Sequence, residues 1–220
     1  MTFKLDACKT LLRAATRGDA DMLATLLAAK PAIDINNRAF AHIARVATTR
    51  GHAKFVRELL RSGYFVDAPD KNGDTALMAA AEHEKSECLR LLLGAGANIA
   101  LANKFHWTAW SLAVNNLSID CIVSLLAAGA DADEKDPHGA TAAMIAAGAN
   151  HCRMLSMMIG AGANLEIEYT DGSTALGFAE DTGALECAAM ITAMITAEHE
   201  REALNSASPP AGNASGALRV

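Results

Sequence analysis

Histidine and cysteine are the side chains in this sequence best suited to metal binding or nucleophilic chemistry, and their spacing favours neither. The chain has seven histidines and five cysteines, but no histidine has a Cys or His partner at metal-ligand spacing. Walker loops, GxGxxG after a strand, HExxH and GxSxG motifs are also missing from the sequence. We therefore predict no catalytic residue, no metal site and no cofactor. The residues considered are His42, His52, His83, His106, His138, His151, His199, Cys8, Cys88, Cys121, Cys152 and Cys187.

The number and spacing of the cysteines indicate the compartment. An odd number of cysteines without a CxxC pair is typical of free thiols in a reducing environment rather than of a disulfide framework. The first residues contain no apolar run of signal-peptide length, and no stretch approaches the roughly 20 uncharged apolar residues that span a bilayer. We therefore expect a cytoplasmic protein that does not engage membranes.

Charge is distributed unevenly along the chain. The 220 residues carry 19 Lys and Arg against 25 Asp and Glu, a net charge of −6, and 51% are hydrophobic, which is typical of a folded chain. Residues 1–63 hold eleven Lys and Arg against five Asp and Glu, whereas residues 64–220 hold eight against twenty. The acidic mean argues against a nucleic-acid partner, although the basic first part by itself could meet a polyanion.

A period of 33 residues organises the whole sequence, and it sets the elements that must position any site. Within one period, apolar residues such as Leu89, Leu92 and Leu93 have i, i+3, i+4 spacing, which predicts a helix. A glycine suits the left-handed end of each second helix, and a threonine hydroxyl can cap each first helix. Each unit is therefore predicted to be two short antiparallel helices, which must stack to bury their apolar faces. The repeated columns are Thr75, Thr108, Thr141 and Thr174; Gly63, Gly96, Gly129 and Gly162; and Ala14, Ala47, Ala80, Ala113, Ala146 and Ala179.

Three cysteines also share one column of this repeat, namely Cys88, Cys121 and Cys187. Neighbouring helices pack about 8–10 Å apart, whereas a disulfide needs Cα atoms within about 7 Å. We therefore interpret these cysteines as small core residues rather than as redox partners.

The repeated segments resemble those of the ankyrin repeat family. The resemblance rests on GDTALMAAA with LLLGAGANIA, on TAWSLAV with LLAAGADAD, and on GATAAMIAA with MMIGAGANL, and it covers about residues 4–201. The Thr-Pro-Leu-His tetrapeptide of the family reads TALM, TAWS, TAAM and TALG here. The turn glycine between the two helices survives at Gly18, Gly51 and Gly183, and the middle units replace it by Glu84, Leu117 and Asn150.

The resemblance implies an all-α fold, an ankyrin-repeat solenoid of six stacked helix-turn-helix units with a concave groove. The first and last units would be caps, and the tail would be disordered. The predicted bounds are 4–36, 37–69, 70–102, 103–135, 136–168 and 169–204 for the units and 205–220 for the tail.

The family resemblance further implies that partners contact the tips between units and the exposed edges of the first helices. The tip before the fourth unit is unusual because it holds Phe105 and Trp107, and His106 replaces its glycine. Exposed aromatic residues are frequent in binding hot spots, but either ring could instead pack on a neighbouring tip, and both alternatives remain open. Trp110 occupies a column of Leu and Ala, so we expect it in the core.

Basic residues align in two columns that would face the groove. Arg38, Lys71 and Lys104 form a predicted ladder at the tips, and Arg17, Arg50 and His83 form another at the ends of the first helices. The simpler alternative is a solvated face, but the alignment suggests that an acidic segment of a partner binds here, with Phe105 and Trp107 as apolar anchors. The predicted contact set is completed by Asn72, Asn116 and His138.

These features predict a non-enzymatic protein–protein interaction module that binds a protein or peptide on its concave face and tips. The chain by itself is expected to be monomeric. The alternative is a regulatory, inhibitory or scaffolding subunit in a stable complex with an enzyme, which would need a larger and more apolar buried face. Because one fold hosts many functions, this choice depends partly on analogy with the family.

Overall fold

The computed structural model describes residues 2–29 and 38–207, and within these ranges the chain forms twelve helices in six successive pairs. The predicted tail from 208 onward lies outside the described residues. The first helices of the pairs are α1 (Thr2–Arg17), α3 (Arg38–Thr49), α5 (Ala76–Glu82), α7 (Ala109–Asn115), α9 (Ala142–Gly148) and α11 (Ala175–Thr182). The second helices are α2 (Ala20–Ala29), α4 (Ala53–Arg61), α6 (Ser86–Gly94), α8 (Ile119–Ala127), α10 (Cys152–Gly160) and α12 (Leu185–Ala207).

The pairs stack in two layers, because each first helix contacts the first helix of the next pair along the whole series. Second helices likewise contact one another from α2 to α8 and from α10 to α12. Alanines are frequent among the buried residues of the first helices, and their small side chains let short helices approach closely. All six members of the predicted alanine column are buried. Larger side chains from the second helices fill the space between the layers, and each contributes about 1.5–3 kcal/mol when fully buried; examples are Leu59, Leu92, Leu125, Met158 and Ile191.

The predicted caps are largely confirmed. The hydroxyls of Thr75, Thr108 and Thr141 each accept a hydrogen bond from the backbone N–H of the third helical residue. This N–H has no acceptor within the helix itself, so the hydroxyl supplies one. Thr174 has the extended backbone of an N-cap, but its side chain accepts no such bond. The glycines that follow the second helices have the expected left-handed backbone, with φ between 83° and 92° at Gly63, Gly96, Gly129 and Gly162.

The turn within each pair keeps one backbone conformation whether or not it contains glycine. Gly18, Gly51 and Gly183 have φ between 72° and 75°. Glu84, Leu117 and Asn150, which replace the glycine in the middle pairs, have φ of 57°, 52° and 51°. A left-handed conformation costs a residue with a side chain about 1–2 kcal/mol, least for Asn. Packing of the stack therefore imposes the turn on sequences that do not favour it.

Four tips join the later pairs, and they share one hydrogen-bonding pattern. In each tip the backbone N–H of the first residue donates to the carbonyl of the fifth at 2.8–2.9 Å, and the fourth N–H donates back to the first carbonyl. A side-chain oxygen of Asp70, Asn103 or Asp136 accepts two further backbone N–H groups in its own tip. The tips are residues 70–74, 103–107, 136–140 and 169–173, and their left-handed fourth residues are Gly73, His106, Gly139 and Gly172.

Neighbouring tips are joined by direct hydrogen bonds. The backbone N–H of Lys104 donates to the carbonyl of Asn72 at 2.9 Å, and its ammonium donates to the carbonyl of Lys71 at 2.7 Å. The amide of Asn103 donates to a carboxylate oxygen of Asp74 at 2.7 Å. These bonds hold the tips 70–74 and 103–107 in register.

Two details differ from the sequence-based expectation. Helix α3 begins at Arg38, where the period predicts a tip. The reason is that Phe40 occupies the position equivalent to Gly73, and its buried side chain favours a helical turn over a left-handed one. Helix α12 runs on through 199–204, as expected, but also includes 205–207, which the sequence assigns to the tail.

Close contact between tips predicts that two glycines with the same backbone conformation respond differently to alanine. Gly73 and Gly172 have φ of 87° and 86°, so Gly73→Ala and Gly172→Ala should each lose about 1–2 kcal/mol to backbone strain. A Cβ at Gly73 would also lie 3.3 Å from Cα of Asn103 and 3.4 Å from N of Lys104, whereas a Cβ at Gly172 meets no atom within 4 Å. We expect Gly73→Ala to have the lower urea midpoint. Equal midpoints would show that the tips are not in tight contact.

Candidate partner-binding face

We call the surface formed by the tips, the first residue of α3 and the C-terminal ends of the first helices the groove face. Arg17 ends α1, Arg50 follows α3, and His83 and Asn116 are the C-cap residues of α5 and α7. All four are exposed. The helix dipole also favours the positive charges of Arg17 and Arg50 at the C-terminal ends of α1 and α3, apart from any contact with a partner.

The remaining predicted contact residues lie in the tips, with one exception. Arg38 is exposed but is the first residue of α3, so its predicted place in a ladder of tips is wrong. Lys71 and Lys104 are exposed in adjacent tips and linked through the hydrogen bond from the Lys104 ammonium. Asn72 is half-buried and His138 is exposed.

The two aromatic residues of the tip 103–107 differ in their exposure and in their contacts. Phe105 is 62% exposed, one of the most exposed large apolar side chains in the described residues. Trp107 is half-buried and meets the ring of His138 edge-on, with centroids 5.7 Å apart and planes at 74°. Phe105 is therefore the more accessible of the two rings, and Trp107 packs against the next tip. Trp110 is 1% exposed, as expected for a core residue.

A cavity of about 410 Å³ lies beside Phe105, between the tips and the first helices α3, α5 and α7. Its walls combine the two aromatics and Leu112 with amide and charged side chains. The lining residues are Arg45, Asp74, Glu82, Asn103, Phe105, Trp107, Leu112, Asn115 and Asn116. A pocket with an apolar wall and a few polar groups suits one side chain of a partner better than a flat surface would.

The charges around this cavity differ from those in the basic columns. Arg45 faces the carboxylate of Asp70, with 3.2 Å between Nε and Oδ2, and the Asp70 side chain is only 5% exposed. The charge of Arg45 is therefore largely compensated, and the carboxylates of Asp74 and Glu82 remain. Arg17, Arg38, Arg50 and Lys71 form no ion pair with a carboxylate of the described residues.

Sequence reasoning missed Arg45 and the residues that shape the tips. The signal for the latter was available, because Asp70, Asn103 and Asp136 are separated by the same 33 residues and each precedes a turn residue by three positions. Arg45 had no such signal, because its importance arises only from the approach of Asp70 in space.

The cysteine column behaves as a core column. Cys88, Cys121 and Cys187 are buried, and burial raises the pKa of Cys88 to about 11 and also raises the pKa of Cys121. At neutral pH the thiols of Cys88 and Cys121 are therefore protonated and are poor nucleophiles. In the described part of the chain, no three His, Cys, Asp or Glu side chains converge as metal ligands would. None of the described helices has the length and apolar character required to cross a bilayer.

Comparisons with known proteins agree with this architecture. A model of ankyrin repeats, described as three copies, matches residues 11–103 and again residues 105–202. The chain is also similar to a crystal structure of the ankyrin repeat domain of Bcl-3, which is described as a unique member of the IkappaB protein family. That similarity has 26% identity and a TM-score of 0.75, and it covers 83% of this chain and 84% of that one. A comparison with curated protein sequences gave no match. The chain belongs to the ankyrin repeat family.

Proposed function

We propose that this protein is a non-enzymatic interaction module that binds an extended segment of a partner protein across the groove face, in the cytoplasm. The observation that carries the proposal is Phe105, a large apolar side chain that is 62% exposed beside a cavity of about 410 Å³. The surrounding tips are held by hydrogen bonds within and between them, so the surface is formed before a partner arrives. Such preorganisation reduces the entropy lost on binding.

The polarity of the groove face indicates the order of groups in the partner segment. Arg17, Arg38, Arg50 and Lys71 are exposed without an ion pair to a described carboxylate, and they lie toward the N-terminal end of the stack. They favour acidic residues in the partner. The carboxylates of Asp74 and Glu82 disfavour an acidic residue in the cavity itself. The segment would therefore place acidic residues on the basic columns and an uncharged apolar side chain against Phe105.

Charge reversal tests the basic columns. The wild-type chain is first used to select peptides from a random displayed library, and we expect them to contain Asp or Glu near an apolar residue. For the best of these peptides, Arg38→Glu with Lys71→Glu should slow association at low salt on the order of tenfold and flatten its salt dependence, because both charges steer the encounter. Stopped-flow association rates at several salt concentrations give the result.

A matched control distinguishes this effect from the change in net charge alone. Arg90 and Arg153 are exposed on the second helices α6 and α10, away from the groove face. Arg90→Glu with Arg153→Glu makes the same change in net charge and should leave both the rate and its salt slope close to wild type. If the two double variants behave alike, or if the groove variant binds normally, the basic columns are not the contact surface.

Substitution of Phe105 should mainly weaken partner binding, whereas substitution of Trp107 should lower the stability of the fold. Phe105→Ala should weaken the selected peptide at least about tenfold, because a central aromatic anchor is lost, while the free energy of unfolding stays within about 0.5 kcal/mol of wild type. Trp107→Ala should lower the free energy of unfolding by about 1 kcal/mol, because its edge-on contact with His138 is lost. Calorimetric titration and urea unfolding measure the two quantities. A Phe105→Ala variant with full affinity would remove the observation on which the proposed function depends.

A further inference from the structure

The thiols of Cys152 and Cys187, which occupy different columns of the repeat, are in contact in the structure. The Sγ atoms of Cys152 and Cys187 lie 2.7 Å apart, and both residues are free thiols. Cys152 is the first residue of α10, and Cys187 lies in the first turn of α12, so the contact joins the second helices of the last two pairs. The two residues are separated by 35 positions, whereas the period of the repeat is 33, so the repeat pattern does not predict the contact.

This contact distinguishes the pair from the other buried cysteines. Within the described residues, no other two cysteine sulfurs lie within hydrogen-bonding distance of each other. The thiol of Cys121 instead donates to the carbonyl of Ala80 at 3.9 Å. A disulfide has its sulfurs about 2.05 Å apart, so Cys152 and Cys187 need to approach by only ~0.6 Å.

The two thiols also differ in access to solvent, which gives each a role. Cys152 is only partly buried and can meet a dissolved oxidant, whereas Cys187 is fully buried. Burial, together with the neighbouring Cys152 thiol, raises the pKa of Cys187 to about 12. Cys187 therefore stays protonated until a reactive group forms beside it.

We propose that Cys152 and Cys187 form an oxidisable dithiol site that takes hydroperoxides as its co-substrate and closes to a reversible intramolecular disulfide. In the first step the Cys152 sulfur attacks one peroxide oxygen, the O–O bond breaks, and water leaves with the thiol proton when the oxidant is hydrogen peroxide. Cys152 becomes a sulfenic acid. The Cys187 sulfur then attacks the Cys152 sulfur, the S–O bond breaks, and the Cys187 proton leaves with the hydroxide as a second water. The two thiols lose two electrons in total, and the peroxide gains two.

A disulfide between Cys152 and Cys187 would tie the last helix pair to the pair before it. The cross-link would close a loop over residues 152–187, which contains the tip 169–173 and all of α11. The last pair, like the first, contacts only one neighbouring pair, so it detaches from the array more readily than an internal pair. A covalent link from α10 to α12 restricts that detachment, because it removes freedom from the opened state.

Peptide mapping of the full-length chain tests the proposal. The reduced protein is treated with a small excess of hydrogen peroxide, the remaining thiols are alkylated, and the protein is digested with trypsin. Cleavage after Lys135, Arg153 and Arg201 separates residues 136–153, with Cys152, from residues 154–201, with Cys187. We expect these two peptides joined by a bond that dithiothreitol breaks, and at least tenfold slower amide exchange in α12 of the oxidised protein.

Variants assign the roles of the two thiols. Cys152→Ser should abolish the cross-link, and since Cys152 is only partly buried, this variant should fold. Cys187→Ser should accumulate a Cys152 sulfenic acid that dimedone traps. The matched control is Cys88→Ser, which removes another buried column cysteine and should leave the cross-link intact. Should Cys187→Ser fail to fold, mapping of wild type and Cys152→Ser still decides the matter.

Two results would overturn the proposal. One is Cys152 oxidised to sulfinic or sulfonic acid with no bond to Cys187. The other is a disulfide that joins two copies of the chain or involves Cys88 or Cys121. Both results are independent of partner binding, so they leave the proposed function untouched.

Discussion

Each helix pair in this molecule buries its apolar face against its neighbours in the stack, two for an internal pair and one for a terminal pair. The interface that makes this possible is the alanine column of the first helices, in which all six residues are buried. Because alanine occupies little space, helices of seven or eight residues lie close together and remain helical although they are too short to be stable alone. This packing sets the spacing and orientation of the helix pairs, and it therefore also sets the spacing and orientation of the tips that join them.

Constant tip geometry is what allows the side chains of the tips to vary. The same backbone turn is formed by tips that begin with Asp70, Asn103, Asp136 and Tyr169, and the left-handed position accepts His106 as well as glycine. Hydrogen bonds from one tip to the next then fix where an exposed group such as Phe105 stands. A small array can therefore present a large aromatic ring to solvent without rearrangement of its scaffold.

Much of this architecture could be predicted from the sequence, because period and caps are local signals. The helical pairs, the capping role of Thr75, Thr108 and Thr141, the left-handed glycines and the burial of Trp110 all follow from residue type and spacing. The exact bounds of the repeats and the contact set remain predictions. What failed depends on contacts in space: one aromatic residue, Phe40, converts the expected tip at Arg38 into helix. Which tip aromatic packs, a question that the sequence leaves open, also depends on a contact in space, that of Trp107 with His138. The same is true of the contact between the thiols of Cys152 and Cys187.

The placement of the left-handed turns has a consequence for how the array opens. Glu84, Leu117 and Asn150 occupy this conformation in the three internal pairs from the third to the fifth, whereas Gly18, Gly51 and Gly183 occupy it in the first two pairs and the last. A strained turn persists where neighbours on both sides over-determine it, and a terminal pair has a neighbour on one side only. The turns that lack glycine thus all lie in pairs held from both sides, whereas a terminal pair that opens locally has a glycine turn, which re-forms without strain from a side chain.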